Sequence, residues 1–246
     1  MQRQTKKQRR KLRQDGIIDA EGRFRKNVLS IDSSIEPITE TQEAAFEAHE
    51  EGYNLMLLGS AGTGKSFLSL YFALSEVIKP DCNQKKVIVI RSAVPSRDIG
   101  FEPGTKSAKE SLYESPYPPL CNKVFARNDA YQLLKSQGMI EFTSTSHLRS
   151  LTYDDAYIVV DEVQNMNFEE LDTVITRAGK NTRIIFSGDT KQNDLTKKKS
   201  DQSGLINFMK IIENLSEFDM IEFTAEDVVR SGLVKSYLLQ KEKMGY

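Results

Sequence analysis

The eight residues Gly59-Ser-Ala-Gly-Thr-Gly-Lys-Ser66 satisfy the spacing G-x-x-x-x-G-K-[ST] in full. Their types suit one task. Gly59, Gly62 and Gly64, with the small residues Ser60, Ala61 and Thr63 between them, let the backbone curl until several N–H groups converge on one anion. Lys65 brings a positive charge to β- and γ-phosphates, and Ser66 offers a hydroxyl to a divalent cation. A helix beginning near Lys65 and carrying Phe67 would aim its positive N-terminal end at the same point. The pattern reads as a cradle for a polyphosphate. A glycine-rich turn without a ligand is the plainer alternative, and the apolar run before the motif and the helical pattern after it weigh against that.

A phosphate cradle that does chemistry needs a metal partner and a group that activates water. About 100 residues downstream, "YIVVDEVQNM" delivers Asp161 and Glu162 at the end of an apolar run. Ligands of open α/β sheets gather at the carboxyl ends of strands. Asp161 is the expected holder of Mg²⁺ and Glu162 the expected general base. A second apolar run, "IIFSGDTKQNDL", ends in Ser187-Gly188-Asp189 with Gln192 following. A neutral amide at Gln192 could bind the γ-phosphate and the lytic water without titrating, and so sense hydrolysis; ordinary turn chemistry is the alternative. Gln42 also has two readings. Thr39-x-x-Gln42 is a capping-box pattern, and Gln42 could instead contact an adenine edge and favour ATP over GTP. The chain lacks an Asn/Thr-Lys-x-Asp guanine-reading motif, which points the same way.

These groups must be positioned by strands and helices. Short apolar runs predict strands over 53–58, 87–90, 139–143, 157–160 and 183–186, with shorter strands over 27–31 and, at an edge, 220–223. Helical spacing predicts helices over 38–49, 65–78, 124–135, 168–177, 206–215 and 228–241. The alternation implies an α/β fold, a mostly parallel sheet with helices on both faces. Residues 91–119 read as one long polar loop punctuated by Pro and Gly, a length that is often functional.

Composition narrows the class. The chain has 246 residues, 39% hydrophobic and 28% charged, enough for one domain core. Without a run of 18 apolar residues no membrane span is expected, and without an apolar N-terminal segment no secretory leader is expected. Cys82 and Cys121 have no metal-like spacing, so a reduced cytoplasmic protein with two free thiols is the simplest expectation. His49 and His147 are too few for a histidine-based zinc site. The net charge of −1 conceals a basic N-terminal stretch: residues 1–26 hold ten Lys/Arg and three Asp/Glu. Residues 1–26 therefore read as a flexible basic arm on a mildly acidic body, 27–246. Such an arm suits a polyanion partner, or serves only as a solvated tail.

Taken together, "GSAGTGKS", "YIVVDEVQN", "SGDTKQNDL", "DQSGL", "VIRSAV", "GFEPG" and "EDVVRSGLV" resemble the PhoH-like ATPases, relatives of the superfamily 1 helicase core. The likeness spans roughly residues 38–237. It implies a single RecA-like P-loop NTPase domain, ATP hydrolysis with Mg²⁺, and RNA or single-stranded nucleic acid as partner. By position, Arg91 and the segment through Gly104 and Lys109 correspond to the stretch proposed to meet nucleic acid. Arg149 matches one arginine of a family pair whose second position is Leu151 here. Ser92 stands where the family commonly has proline, and the 91–104 segment is one residue shorter.

Helicases of this lineage hydrolyse ATP between two such domains, and this chain has room for one. An arginine supplied by a neighbouring subunit in a head-to-tail ring, a hexamer being one such closed form, would complete the site. Arg230 in "DVVRSG" is the first candidate and Arg177 in "VITRAG" the second. Three functions compete: a nucleic-acid-stimulated ATPase of helicase or translocase type, a nucleotide-switched binding module with slow hydrolysis, and a P-loop kinase. Glu162, a base placed for water, argues against the kinase.

Overall fold

The computed structural model describes residues 29–92, 111–150, 152–189 and 199–244, with the backbone alone at residues 146, 149, 150 and 199–203. Six strands form one sheet: β1 (Asn54–Gly59), β2 (Lys86–Arg91), β3 (Ile140–Ser144), β4 (Ala156–Asp161), β5 (Arg183–Gly188) and β6 (Phe218–Phe223). Their order is β3-β2-β4-β5-β1-β6, and every pairing is parallel. The central strands are continuous apolar runs because helices cover both of their faces.

Alternation along each strand divides the core in two. Leu55, Leu57, Val87, Val89, Tyr157, Val159 and Ile185 face α1 (Glu40–Glu50), α2 (Lys65–Val77), α3 (Tyr117–Val124) and α4 (Ala130–Ser136). Met56, Leu58, Ile88, Ile90, Ile158, Val160, Ile184 and Phe186 face α5 (Phe168–Thr176) and α6 (Lys199–Ile212). A last helix, α7 (Gly232–Lys243), follows β6 and has no buried residue.

The expected elements form with shifted ends, with four differences. Leu29 to Ile31 makes no strand; its apolar side chains pack on the core as irregular chain. The loop read over 91–119 ends early: residues 111–114 are already helical, and Pro118 and Pro119 sit in the first turn of α3, where missing N–H groups cost nothing. The single helix read over 124–135 is two, α3 and α4, broken where Ala126 takes a φ of 48°. Finally, the helix read from 228 starts only at Gly232. A 3₁₀ turn (Ala225–Asp227), closed by a Thr224 and Asp227 capping box, precedes it. Residues 228–231 then run past the phosphate loop.

Candidate functional site

Parallel strands end together, and that sets the site. The register pairs Leu58 with Gly188, Asp161 with Ser187 and Arg91 with Asp161, so these residues share one edge of the sheet. The loop 59–64 leaves β1 at this edge and enters α2, with Gly64 as a left-handed N-cap at φ 93°.

Five of the loop's carbonyls are engaged by the protein. Lys65 Nζ donates to Gly59 O at 2.9 Å and Ser60 O at 2.6 Å. Val229 N donates to Gly62 O at 3.2 Å, Gln42 Nε2 to Thr63 O at 3.1 Å and Leu68 N to Gly64 O at 2.9 Å. With these carbonyls committed to the protein, the loop has main-chain N–H groups to offer an anion. Gly59 is required sterically: a Cβ there would lie 1.8 Å from Phe223 O, the atom that accepts from Ser60 N at 2.9 Å. Burial lowers the Lys65 pKa, opposed by the charges of Asp189, Glu162 and Asp161. The lysine therefore sits among three carboxylates that hold it cationic.

Asp161 is 5% exposed, and three hydroxyls donate to its carboxylate. Ser66 Oγ reaches Oδ1 at 2.8 Å, Ser187 Oγ reaches Oδ1 at 2.9 Å and Tyr117 Oη reaches Oδ2 at 3.2 Å. Glu162 follows in a left-handed turn, φ 57° and ψ 47°. Burial, then the charge of Asp161, raises its pKa above the ordinary glutamate value, against the pull of Arg91 and Lys65. Gln164 donates to Glu162 Oε2 and accepts from Asp189 N at 3.0 Å, tying the ends of β4 and β5. Gly188 permits that contact, since a Cβ there would lie 2.5 Å from Gln164 Oε1.

The arrangement fits a divalent cation held by substrate and protein jointly. Ser66 Oγ, as the donor to Asp161, keeps its lone pairs for a metal. No group of three or more His, Cys, Asp or Glu among the described residues could hold a metal alone. That suits Mg²⁺, which takes one or two protein ligands plus phosphate oxygens and water.

The predicted residues thus divide by place. Gly59 to Phe67, Asp161, Glu162, Asp189 and Arg91 meet at the edge; Phe67 lies 4.9 Å from Lys123 Nζ, under that ammonium. Gln42 is 4% exposed, and its amide is engaged at both ends, by Ile38 N at 2.9 Å and Thr63 O. It braces the loop, and it caps only half as the box pattern expects, since its side chain accepts from Ile38 N rather than Thr39 N. Arg230 lies against its own phosphate loop: a Cβ on Gly62 would be 3.3 Å from Arg230 Cδ and Nε. This is a place within one chain, where the sequence reading expected an arginine crossing from a neighbour. Arg177 follows α5 at the opposite edge, its carbonyl accepting from Tyr153 N at 2.9 Å. Gln192, Gly104, Lys109 and Leu151 lie outside the described residues, as does the Arg149 side chain. Sequence reasoning missed Tyr117 and Gln164, and it located Ser187 at this edge without the bond to Asp161. Gln164 stands three positions after Asp161, where a 3₁₀ turn brings it back to Glu162.

The family model described as PhoH-like protein matches residues 34–240. The chain belongs to the PhoH-like family. A PhoH-like protein of Bacillus subtilis is 32% identical over 187 residues, covering 76% of this chain and 57% of its own. Protein PhoH of Escherichia coli is 30% identical over 201 residues, covering 81% of this chain and 56% of its own. The chain thus spans a little over half the length of these PhoH-like relatives. Among solved structures, the large terminase of a thermophilic bacteriophage in complex with ADP is similar at a TM-score of 0.48 and 12% identity, over 82% of this chain and 49% of that one. The fold stated above rests on strand order and register, not on that likeness. Membership of the PhoH-like family, with a P-loop joined to paired carboxylates, supports nucleotide binding and hydrolysis. Among the described residues no helix is long and apolar enough to cross a membrane.

Proposed function

We propose that the protein hydrolyses ATP with Mg²⁺ and couples hydrolysis to RNA or single-stranded nucleic acid. One observation carries the reading: Ser66 of the phosphate loop and Asp161 of β4, 95 residues apart, share a 2.8 Å hydrogen bond beside Lys65 and Glu162. The loop amides and Lys65 bind the triphosphate, and Ser66 with Asp161 holds the cation. When bound, that cation neutralises charge building on the phosphoryl oxygens. Glu162 Oε1 or Oε2 takes the proton of the attacking water; its raised pKa makes it a stronger base than an exposed glutamate. Arg230, which lies beside Gly62, is assigned here to act on phosphate from its own chain. Adenine is favoured by the lack of a guanine-reading motif, and Gln42, which braces the loop, keeps a second amide N–H and a second carbonyl lone pair for an adenine edge.

Nucleic acid is supported by the ten basic residues of 1–26 and by Arg91 at the site's edge. The test is the ATPase rate with and without single-stranded RNA or DNA at several salt concentrations. We expect stimulation that fades as salt rises. A rate indifferent to both polymers would shift the reading to a nucleotide-switched binding module. Absence of hydrolysis with or without Mg²⁺ would end the enzymatic reading.

A further inference from the structure

We propose that Tyr117 is a positioning residue for the cation site: its hydroxyl, donating to Asp161 Oδ2, fixes the carboxylate in the orientation that lets Ser66 Oγ donate to Oδ1. The inference rests on the reading of Asp161 as the residue that holds Mg²⁺ with Ser66.

An aspartate carboxylate turns in a broad, roughly two-fold torsional well about its last bond. Ser66 and Ser187 both donate to Oδ1 and leave Oδ2 to Tyr117, which is fully buried. If Oδ2 swings free, Oδ1 leaves the Ser66 hydroxyl. That hydroxyl can then rotate, and its lone pairs lose their aim. Tyr117 is the first residue of α3, and the same helix reaches the phosphate-loop side through Lys123, over the ring of Phe67 next to Ser66. The helix therefore touches Asp161 directly and Phe67, the chain neighbour of Ser66. The Tyr117 ring is itself held against Phe142, with centroids 5.7 Å apart. A buried tyrosine whose hydroxyl merely finds a partner would show the same hydrogen bond. The cation requirement separates the two cases.

The experiment compares wild type with Tyr117→Phe, which keeps the ring. The first readout is the melting temperature with a non-hydrolysable ATP analogue as Mg²⁺ is titrated, and the second is the Mg²⁺ dependence of hydrolysis. In Tyr117→Phe the half-saturating Mg²⁺ rises about tenfold in both, while the KM for ATP at saturating Mg²⁺ is unchanged. Tyr131→Phe removes a phenol that donates to Glu114, away from the site, and leaves the Mg²⁺ midpoint at the wild-type value. Site-specific 3-fluorotyrosine at 117 keeps the ring and strengthens the donor, so its midpoint does not rise; this arm holds even if the phenylalanine variant folds poorly. A Tyr117→Phe midpoint equal to wild type, or one raised equally by Tyr131→Phe, overturns the proposal. Asp161→Asn serves as the control for the underlying reading. If it hydrolyses ATP normally, the cation-site assignment itself has failed; if it is inactive while Tyr117→Phe matches wild type, only the role of Tyr117 has.

Discussion

Asp161 and Glu162 adjoin in the chain, and in an extended strand their side chains would point to opposite faces. The left-handed turn at Glu162 breaks that alternation, at about 1 kcal/mol for a residue other than glycine. Both charges then act on Lys65. Glu162→Gln keeps the shape and removes the proposed base. It should retain nucleotide binding and lose hydrolysis by about 10²–10⁴-fold, measured by binding of a fluorescent ATP analogue beside the steady-state rate. The same variant tests the electrostatics. A carboxyl whose folded pKa is raised binds its proton more tightly folded than unfolded, so its ionisation opposes folding above that pKa. At pH 7, Glu162→Gln should melt higher than wild type. The gap should close as the pH falls below about 4, the ordinary glutamate value, where both states become protonated.

At the scale of elements, β1 and α1 are locked to their neighbours by two contacts that can be tested separately. Gly59→Ala would drive a methyl group into Phe223 O at the end of β6 and oppose a φ of 117°. A loss of more than about 2 kcal/mol is expected in a urea melt, with nucleotide binding lost as well. At the end of α1, His49 stacks on Phe72 of α2 with centroids 4.5 Å apart. Burial first, then the Arg183 guanidinium, pushes its pKa down to about 4. The buried imidazole stays neutral while the unfolded one protonates below about 6.5. Its stability contribution is therefore present above that pH and lost as the pH falls toward 4, by up to about 3 kcal/mol. His49→Leu should flatten the melting profile in that window.

Which of this was legible follows from what each signal measures. Apolar runs locate β1, β2, β4 and β5 because burial on both faces leaves no room for polar residues. The loop motif and Asp161-Glu162 were legible because they end such runs. Tyr117 was not: it stands among prolines in "SPYPPL", which read as loop, and its partner is 44 residues away. Strand order was also hidden, since no local pattern tells β1 that it lies between β5 and β6.

For the molecule as a whole, the two arginines make opposite predictions. Arg230 touches its own phosphate loop, whereas Arg177 lies at the far edge, where a head-to-tail neighbour could receive it. We expect Arg230→Ala to lose most of its hydrolysis and to gain nothing when mixed with Lys65→Ala, because each chain carries a defect in one and the same site. If Arg177 serves a neighbour's site, mixing Arg177→Ala with Lys65→Ala restores activity. Light scattering with ATP and Mg²⁺ reports whether subunits assemble at all; a monomer would remove the ring and leave Arg230 as the arginine of a self-contained site.

Because β1 lies between β5 and β6, the phosphate loop is finished by the C-terminal part of the chain. Ser60 N needs Phe223 O, and Gly62 O needs Val229 N. A nascent polypeptide that has left the ribosome only as far as β5 already owns the lysine, the serine and both acidic groups, yet lacks the two backbone clasps that shape the turn around them. The finished shape of the turn should therefore wait until β6 and Val229 have both emerged and joined the sheet.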